Sequence, residues 1–298
     1  MTDTVLHLET VHQCNCCLGH KTLHPLVSVI DLSEASPEQR AVKFDFYTIL
    51  LMEGKIGDFL YGREYYDYSN ASLLFLTPGE SIKIDLNGLC EQKGWLLAFH
   101  PDLLYCTSLG CHIKDYTFFF YNRNEALHLS LREKTKAIQC LSNIKEELQH
   151  AIDCHSKTLI TRSIELLLDY CTRFYERQFI TRCEVNKVVL CGIDRLFDEY
   201  IQSGKLKGKV LPSVEYCADN LQLSSYYLED LLKFETGKTV CEYFQQKRID
   251  ISRKMLSDKN YNVAQVTEIL GFPSVQYFSC LFRRITGITP NEYRSANN

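Results

Sequence analysis

The sequence predicts an α+β protein with a strand-rich front part followed by helices. Three observations support this prediction. Between 26 and 129, short runs rich in Val, Ile, Phe and Tyr are separated by turn residues. After 131, apolar residues recur at helical spacing. In the last third of the chain, a helix-turn-helix pattern occurs twice.

The front part, residues 1–130, is predicted to fold as a sandwich or a small barrel. In KFDFYT (43–48) and SIKIDL (81–86), apolar and polar residues alternate, as a half-buried strand requires. Gly, Pro and Asn separate these runs from their neighbours. Regular short strands with such turns are typical of sandwiches and barrels.

Residues 131–204 are predicted to be a helical connector between two domains. Its apolar residues form stripes at helical spacing, such as Ile138, Leu141, Ile144 and Leu148. Packing within the chain and a dimer seam both explain such stripes, so both interpretations stay open. The basic run 203–209 contains two glycines and is interpreted as a linker, which places the third domain at 205–298.

Charge is distributed unevenly along the chain, whose formal net charge is -4. Residues 205–298 contain 13 Lys and Arg against 10 Asp and Glu, a net charge of +3. The remaining residues contain 20 basic and 27 acidic side chains, a net charge of -7. A basic end on an acidic body is compatible with a polyanionic partner, although many protein surfaces carry such an excess.

The composition also indicates where the protein acts. The start of the sequence has no leader pattern, and no apolar run approaches the roughly 18 residues of a membrane span. The 14 cysteines are spread over the whole length. We therefore expect a cytoplasmic protein with mostly reduced, buried cysteines and no membrane contact.

The two copies of the pattern in the last third have matching turns, helix starts and helix ends. VEYCADNL and NVAQVTEI each lead through a tight turn into a second helix that ends in Thr-Gly. Ser224 and Ser274 suit N-caps of the second helices, and Gly237 and Gly287 suit left-handed ends. Residues 239–258 have the length of one long helix. In such a motif, the second helix lies in the major groove of DNA.

Residues from about 212 to 294 resemble the DNA-binding domain of AraC/XylS-type bacterial transcriptional regulators. The resemblance is carried by ADNLQLSSYYLEDLLKFETGKTVCEYF, KRIDISRKML, VAQVTEILGF, YFSCLFRRITG and ITPNEYR. The front half is similar to the barrel-like, cupin-like sensor or dimerisation domain of this family, through HPLVSVID, FLTPGE and AFHPDLL. The resemblance implies double-stranded DNA as partner and a regulator, most directly an activator, that contacts RNA polymerase. It also implies control through a homodimer or a small-molecule effector.

In the second repeat, the resemblance places base contacts at Gln276 and Cys280. A glutamine side chain can form two hydrogen bonds with adenine. Arg283 and Arg284 are predicted to contact phosphates, which position a protein on DNA, with a solvated basic face as the alternative. Ser274 begins this helix. The apolar positions Phe278, Leu281 and Phe282 are predicted to be core.

In the first repeat, the outward residues are predicted to be Ser225, Tyr226, Glu229 and Asp230. A glutamate can accept a hydrogen bond from cytosine N4, whereas two carboxylates facing phosphates are unfavourable unless they are paired. Asp230 could instead pair with Lys233 at the i, i+3 spacing. The candidate phosphate contacts of this part are Lys233, Lys238, Lys247 and Arg248, and the sequence leaves open which of the last two points outward.

The front part contains a dense segment of potential soft-metal ligands, namely His12, Cys14, Cys16, Cys17, His20 and His24. Chance clustering is the alternative, because no second Cys pair follows at a zinc-finger spacing. We predict no metal, no cofactor and no catalytic residue. The alternative function is a DNA-binding unit coupled to cysteine-based alkyl repair or thiol sensing. A set of aromatic residues is interpreted as cavity lining or core: Tyr61, Tyr65, Tyr66, Tyr68, Trp95, Phe118 and Phe120.

Overall fold

The computed structural model describes residues 6–34, 42–53, 71–82, 94–258 and 260–297. Its contacts divide the chain into two compact units, one up to Thr181 and one from Arg182 onward. The first unit combines strands with helices, and the described part of the second is helical, so the α+β prediction is confirmed. Within the described ranges, every helix is too short or too polar to cross a lipid bilayer.

The strands that the structure describes in the first unit form two sheets. The smaller sheet has the order β1 (Leu6–Leu8), β3 (Val42–Phe44) and β6 (Ser81–Ile82). The larger sheet is antiparallel and has the order β2 (Val27–Asp31), β7 (Gly94–Phe99), β4 (Tyr47–Glu53), β5 (Ala71–Leu76) and β8 (Leu127–His128).

The larger sheet is buried on both faces because its central strands are apolar at successive positions. Along β4, Ile49 and Leu51 belong to one core, whereas Leu50 and Met52 belong to another. All six residues of β5 are buried. Since successive side chains point to opposite faces of a sheet, a continuous apolar run of this length requires cover on both sides.

Among the described residues of the first unit, five α-helices occur: α1 (Val11–Cys17), α2 (Pro101–Leu104), α3 (Ser108–His112), α4 (Leu131–Glu147) and α5 (Ser156–Thr181). The core that contains Ile49 also contains buried residues of α4 and α5. Arg177 on α5 forms a two-pronged ion pair with Glu133 on α4 and donates to the His128 carbonyl oxygen at 2.7 Å. These contacts attach both helices to the edge strand β8.

The second unit consists of α6 (Cys183–Gln202), α7 (Val214–Leu221), α8 (Ser225–Thr236), α9 (Val240–Leu256), α10 (Val263–Ile269), α11 (Val275–Thr286) and α12 (Pro290–Asn297). It has two cores. Residues of α6, α7, α8 and the start of α9 form one core, and the rest of α9 forms the other with α10 and α11. The predicted connector, 131–204, is therefore divided by its packing, because α6 lies in the second unit and α4 and α5 in the first.

The run 203–209, interpreted from the sequence as a linker, contains a 3-10 helix, Lys205–Gly208, that packs within the second unit. Leu206 is fully buried in the same core as α6. Its carbonyl oxygen lies so close to Gly271 that a Cβ at this glycine would be 2.3 Å away. Lys209 donates to the Pro273 carbonyl oxygen at 3.2 Å. The lysines and glycines of this run predicted that it would be exposed to solvent. The burial of Leu206 instead packs it against the core of the second unit.

Candidate nucleic-acid interface

The two repeats begin and end their second helices in the same way, as the sequence predicts. Ser224 accepts a hydrogen bond from the Tyr227 amide at 3.2 Å, and Ser274 accepts one from the Tyr277 amide at 3.1 Å. The helices α8 and α11 each contain 12 residues. Each ends at a left-handed glycine, Gly237 with φ 70° or Gly287 with φ 85°.

The similarity of the two repeats extends into the helix that follows each second helix, namely α9 and α12. The pattern found in the sequence ended before these helices. Thr239 and Glu242 form a capping box at the start of α9. Fifty positions later, Thr289 and Glu292 exchange the same two hydrogen bonds at the start of α12. Each repeat is therefore a three-helix unit in which a second helix is followed by a glycine and a Thr-x-x-Glu cap.

The turns before the second helices differ. In the first repeat Gln222 adopts the left-handed conformation with φ 57°, and in the second repeat Gly271 does so with φ 66°. The second turn also contains Pro273, and Phe272 is buried within it. Each turn connects the first helix of its repeat to the second, as in a helix-turn-helix motif.

The helix α11 has one buried face and one exposed face. Phe278, Leu281 and Phe282 are buried, which confirms their predicted place in the core. The exposed residues include predicted contacts at the start, in the middle and at the end of the helix, together with two apolar neighbours. They are Ser274, Val275, Gln276, Tyr277, Cys280, Arg283 and Arg284.

The helix α8 presents fewer free polar groups. Tyr226 and Lys233 are exposed, whereas Ser225 and Asp230 are partly buried. Glu229 accepts a hydrogen bond from the Val240 amide at 3.3 Å, so its carboxylate lies at the start of α9. This contact satisfies one of the free amides of a helix start and reduces the freedom of Glu229 to meet a base.

Two of the predicted phosphate contacts, Lys247 and Arg248, interact with other groups of the second unit. Lys247 is 3.0 Å from a carboxylate oxygen of Asp194 and 3.3 Å from one of Asp198, both on α6. The ammonium group is therefore neutralised within the unit. Arg248 is 2% exposed, and its prediction as a phosphate contact is wrong because the side chain is enclosed by the core.

Arg248 connects the two repeats. Its Nε donates to the Leu270 carbonyl oxygen at 3.0 Å, and its guanidinium carbon lies 3.8 Å from the centroid of the Phe272 ring. Phe244, one turn earlier on α9, belongs to the first core. Burial lowers the pKa of Arg248 to about 10. Sequence reasoning missed this contact, since nothing in the run QQKRID distinguishes the buried cation from its neighbours.

Glu242 is a carboxylate that both second helices influence. Its pKa is lowered chiefly by hydrogen bonds from the Thr239 amide and hydroxyl, and further by the charges of Lys233 and Arg284. Lys233 lies in the last turn of α8, and Arg284 lies in the last turn of α11. Basic residues at the ends of α8 and α11 therefore both lower the pKa of Glu242 at the start of α9.

The cysteine-rich segment of the first unit has no metal-binding geometry. No group of three or more His, Cys, Asp or Glu side chains that could hold a metal ion occurs among the described residues. Cys14 is fully buried, and burial, with Cys17 nearby, raises the pKa of its thiol to about 12. Such a thiol is a poor metal ligand and a poor nucleophile.

Of the aromatic residues predicted to line a cavity or form core in the first unit, Phe118 and Trp95 pack in or against the core. Phe118 is buried and stacks on Tyr175 with a centroid distance of 5.4 Å. Trp95 is packed against the same core, and Lys145 lies over its ring. Phe120 is exposed. The predicted cavity residues Tyr61, Tyr65, Tyr66 and Tyr68 lie outside the described residues.

Known proteins share the carboxyl-terminal pattern. Residues 217–296 match a family described as a helix-turn-helix domain. The probable transcriptional regulator LumQ of Photobacterium leiognathi is 27% identical over 157 residues, which are 52% of this chain and 58% of that protein. The HTH-type transcriptional activator RhaR of Yersinia pseudotuberculosis is 29% identical over 87 residues, which are 29% of this chain and 30% of that protein. The match thus spans less than two thirds of each relative.

Among solved structures, a transcriptional regulator with an AraC-type DNA-binding domain from Chromobacterium violaceum is 28% identical. The superposition covers 28% of this chain and 76% of that one, with a TM-score of 0.28.

Proposed function

The carboxyl-terminal domain of this chain belongs to the AraC/XylS family, and from this premise we propose that the protein is a sequence-specific DNA-binding transcriptional regulator. The observation that carries the proposal is the repeated unit itself. Two helices of equal length, capped alike, each keep one face buried and turn polar residues outward. A pair of such probes suits two successive major grooves of one duplex.

The proposed mechanism is insertion of α8 and α11 into neighbouring grooves on one face of the DNA. The helix α9 contains 17 residues and is therefore about 26 Å long at a rise of about 1.5 Å per residue. One turn of DNA is about 34 Å. The helix and the turns that flank it provide a spacer of the required order, and the Arg248 contact stiffens its junction with the second repeat.

We propose that α11 contributes most of the direct base readout. Gln276 and Cys280 are exposed one turn apart, and Gln276 can form two hydrogen bonds with an adenine. Arg283 and Arg284 follow at the end of the helix and would contact phosphates. Ser274 begins the helix and would lie close to the backbone of the DNA.

For α8 we propose a smaller share of base readout. Tyr226 and Lys233 are its exposed contacts, and Ser225 would approach the backbone at the helix start. Glu229 and Asp230 add negative charge to the face that would meet DNA, and Glu229 already accepts a bond from α9. Such carboxylates select cytosine only where its amino group is in reach, and elsewhere they repel phosphate.

The first test is DNA binding by the intact protein with mixed genomic fragments, followed by footprinting and binding to single-base variants of the site found. Gln276→Ala should reduce the preference at one base pair by about 1–3 kcal/mol and leave the other positions unchanged. Gln202→Ala, an exposed glutamine on α6, is the matched control and should change nothing. An unchanged preference in Gln276→Ala would remove the assignment of Gln276 to a base.

Loss of a phosphate contact should change the affinity and its salt dependence and leave the base preference unchanged. Arg283→Ala should weaken binding to all sequences alike, and it should reduce the slope of log K against log salt by about 0.9. Because residues 205–298 carry a net charge of only +3, we expect weak nonspecific binding by one domain. Binding that is undiminished at high salt would contradict this electrostatic description.

The finer features are proposals as well. The name of RhaR supports activation, and RNA polymerase is the partner that an activator needs, so a reporter gene behind the footprinted site should be induced. We propose that the first unit is the barrel-like, cupin-like regulatory domain, which senses a small molecule or forms a homodimer. A protein that acts on chromosomal DNA would work in the cytoplasm.

We propose that the protein is not an enzyme. The relatives in the comparison are named as regulators. The alkyl-repair alternative requires a reactive thiolate, and burial, which raises the pKa of the Cys14 thiol, opposes that role for Cys14. A methyl-transfer assay with alkylated DNA separates the two functions, because only a repair protein would lose one thiol per methyl group removed.

A further inference from the structure

The last lysine of the basic run 203–209 is attached to the turn of the second repeat. The Lys209 ammonium donates to the Pro273 carbonyl oxygen at 3.2 Å, across 64 positions of sequence. Pro273 directly precedes Ser274, the residue that caps α11. The side chains of Lys209, Pro273 and Ser274 are all exposed. The ammonium is therefore held, facing solvent, beside the first residues of the helix that carries Gln276.

The backbone of the run determines where Lys209 lies. Leu206 is fully buried, and its carbonyl oxygen packs against Gly271 in the same turn. The Lys209 amide donates to that carbonyl oxygen at 2.8 Å. Lys209 itself adopts a left-handed conformation with φ 57°, which glycine adopts freely and which a side chain with a Cβ disfavours. A lysine here lowers the stability of the fold relative to glycine, and such strain is concentrated at functional positions.

The charge around Lys209 has one sign. Between 203 and 214 the chain contains three lysines, Lys205, Lys207 and Lys209, and no acidic residue. The first turn of α11 contains no acidic residue either. Among the described residues, the hydrogen-bond partner of the Lys209 ammonium is the Pro273 carbonyl oxygen, a neutral group that uses one of its three donors. A basic surface thus borders the exposed face of α11, and its complement is an anion.

We propose that Lys209 contacts a phosphate of the DNA strand that borders the groove entered by α11. The inference rests on the proposed function and adds a contact to it. A helix in the major groove lies between two phosphate backbones, so a cation beside its first residues meets one of them. Such a contact positions the helix in the groove without reading a base.

The test compares Lys209→Gln with the unmodified, intact protein at the footprinted site and on DNA of mixed sequence. We expect the variant to bind both DNAs more weakly, with the slope of log K against log salt reduced by about 0.9. The affinity advantage of the unmodified protein should then shrink about 3.5-fold between about 50 and 200 mM salt. The preference among single-base variants of the site should not change.

Lys205→Gln is the matched control, since it removes the same charge from the same run. The Lys205 ammonium lies over the rings of Tyr200 and Tyr216, at 5.4 and 5.5 Å from their centroids, so its loss should leave the slope unaltered. Lys209→Arg should retain the slope because it keeps the charge. If Lys205→Gln reduced the slope as much as Lys209→Gln, the effect would be one of general charge and the proposal would be overturned.

A purely structural role for Lys209 predicts a different result. Loss of its bond to Pro273 would then shift α11, lower the melting temperature and alter the base preference, while the slope kept its original value. That outcome would refute the phosphate contact. Absence of DNA binding by the unmodified protein would refute the proposed function and this inference with it, whereas binding with an unaltered slope in Lys209→Gln would refute this inference alone.

Discussion

At the scale of the residue, Arg248 shows how a single buried cation can connect two structural repeats. Its hydrogen bond to the Leu270 carbonyl oxygen satisfies a group at the end of α10. The guanidinium plane covers Phe272, the residue that fills the turn of the second repeat. Transfer of a charge into the core is unfavourable, so these contacts must offset its desolvation.

We predict that Arg248→Ala lowers the free energy of unfolding of the second unit by about 2–4 kcal/mol, because it leaves a cavity and an unpaired carbonyl oxygen. Urea denaturation of the intact protein, followed by fluorescence or circular dichroism, measures the loss. Arg253→Ala is the matched control on the same helix. Arg253 is exposed and lies 3.8 Å from Asp250, so its loss should cost less than about 1 kcal/mol. Equal losses in the two variants would contradict the proposed contribution of Arg248.

Residues whose environment follows from local periodicity could be predicted from the sequence, whereas Arg248 could not. Phe278, Leu281 and Phe282 repeat at helical spacing, and Ser274 precedes a helix, so their core and cap positions follow from nearby residues. The burial of Arg248 depends on Phe272, which is distant in sequence and becomes a neighbour only when α9 and the second repeat pack together.

At the scale of the element, the turns that precede α8 and α11 can be compared directly, because each contains one residue in the left-handed conformation. Gln222 adopts a left-handed conformation that a side chain with a Cβ disfavours by about 1–2 kcal/mol. Part of this cost is recovered by lower chain entropy in the unfolded state, relative to glycine. We predict that Gln222→Gly raises the free energy of unfolding by roughly 0.5 kcal/mol, measured by chemical denaturation.

Gly271→Ala should act in the opposite direction and more strongly. The new Cβ would meet the Leu206 carbonyl oxygen at 2.3 Å, a backbone atom that cannot move aside without disturbing a buried leucine. A loss of more than about 2 kcal/mol is expected in the same denaturation experiment. If Gln222→Gly destabilised the protein as much as Gly271→Ala, strain in the first turn would be excluded.

The type of most helices could be predicted from apolar spacing, but their partners could not. The stripe on α6 includes Ile193, Phe197 and Tyr200, which are buried, and Val188, which is 72% exposed. Periodicity alone did not reveal that the buried members pack with α7 and α8. The run 203–209 has the composition of a linker, and the burial of Leu206 outweighs that composition.

At the scale of the whole molecule, the boundary between the units determines which fragment can fold. The sequence places the last domain at 205–298, whereas the packing divides the chain after Thr181. The difference is α6, whose buried residues complete the core of the first repeat. A fragment that begins at 205 exposes the apolar face that α6 covers, and each large apolar side chain removed from a core costs about 1.5–3 kcal/mol of burial.

We therefore predict that fragment 182–298 unfolds in one cooperative transition, and that fragment 205–298 melts at a much lower temperature or without cooperativity. Thermal unfolding followed by circular dichroism distinguishes these outcomes. Phe197→Ala within fragment 182–298 should remove about 3–5 kcal/mol, because this ring packs on Phe244 with a centroid distance of 4.7 Å. Leu211→Ala is the matched control, since this side chain is 42% exposed. If fragment 205–298 were as stable as the longer one, α6 would be dispensable and the boundary predicted from the sequence would stand.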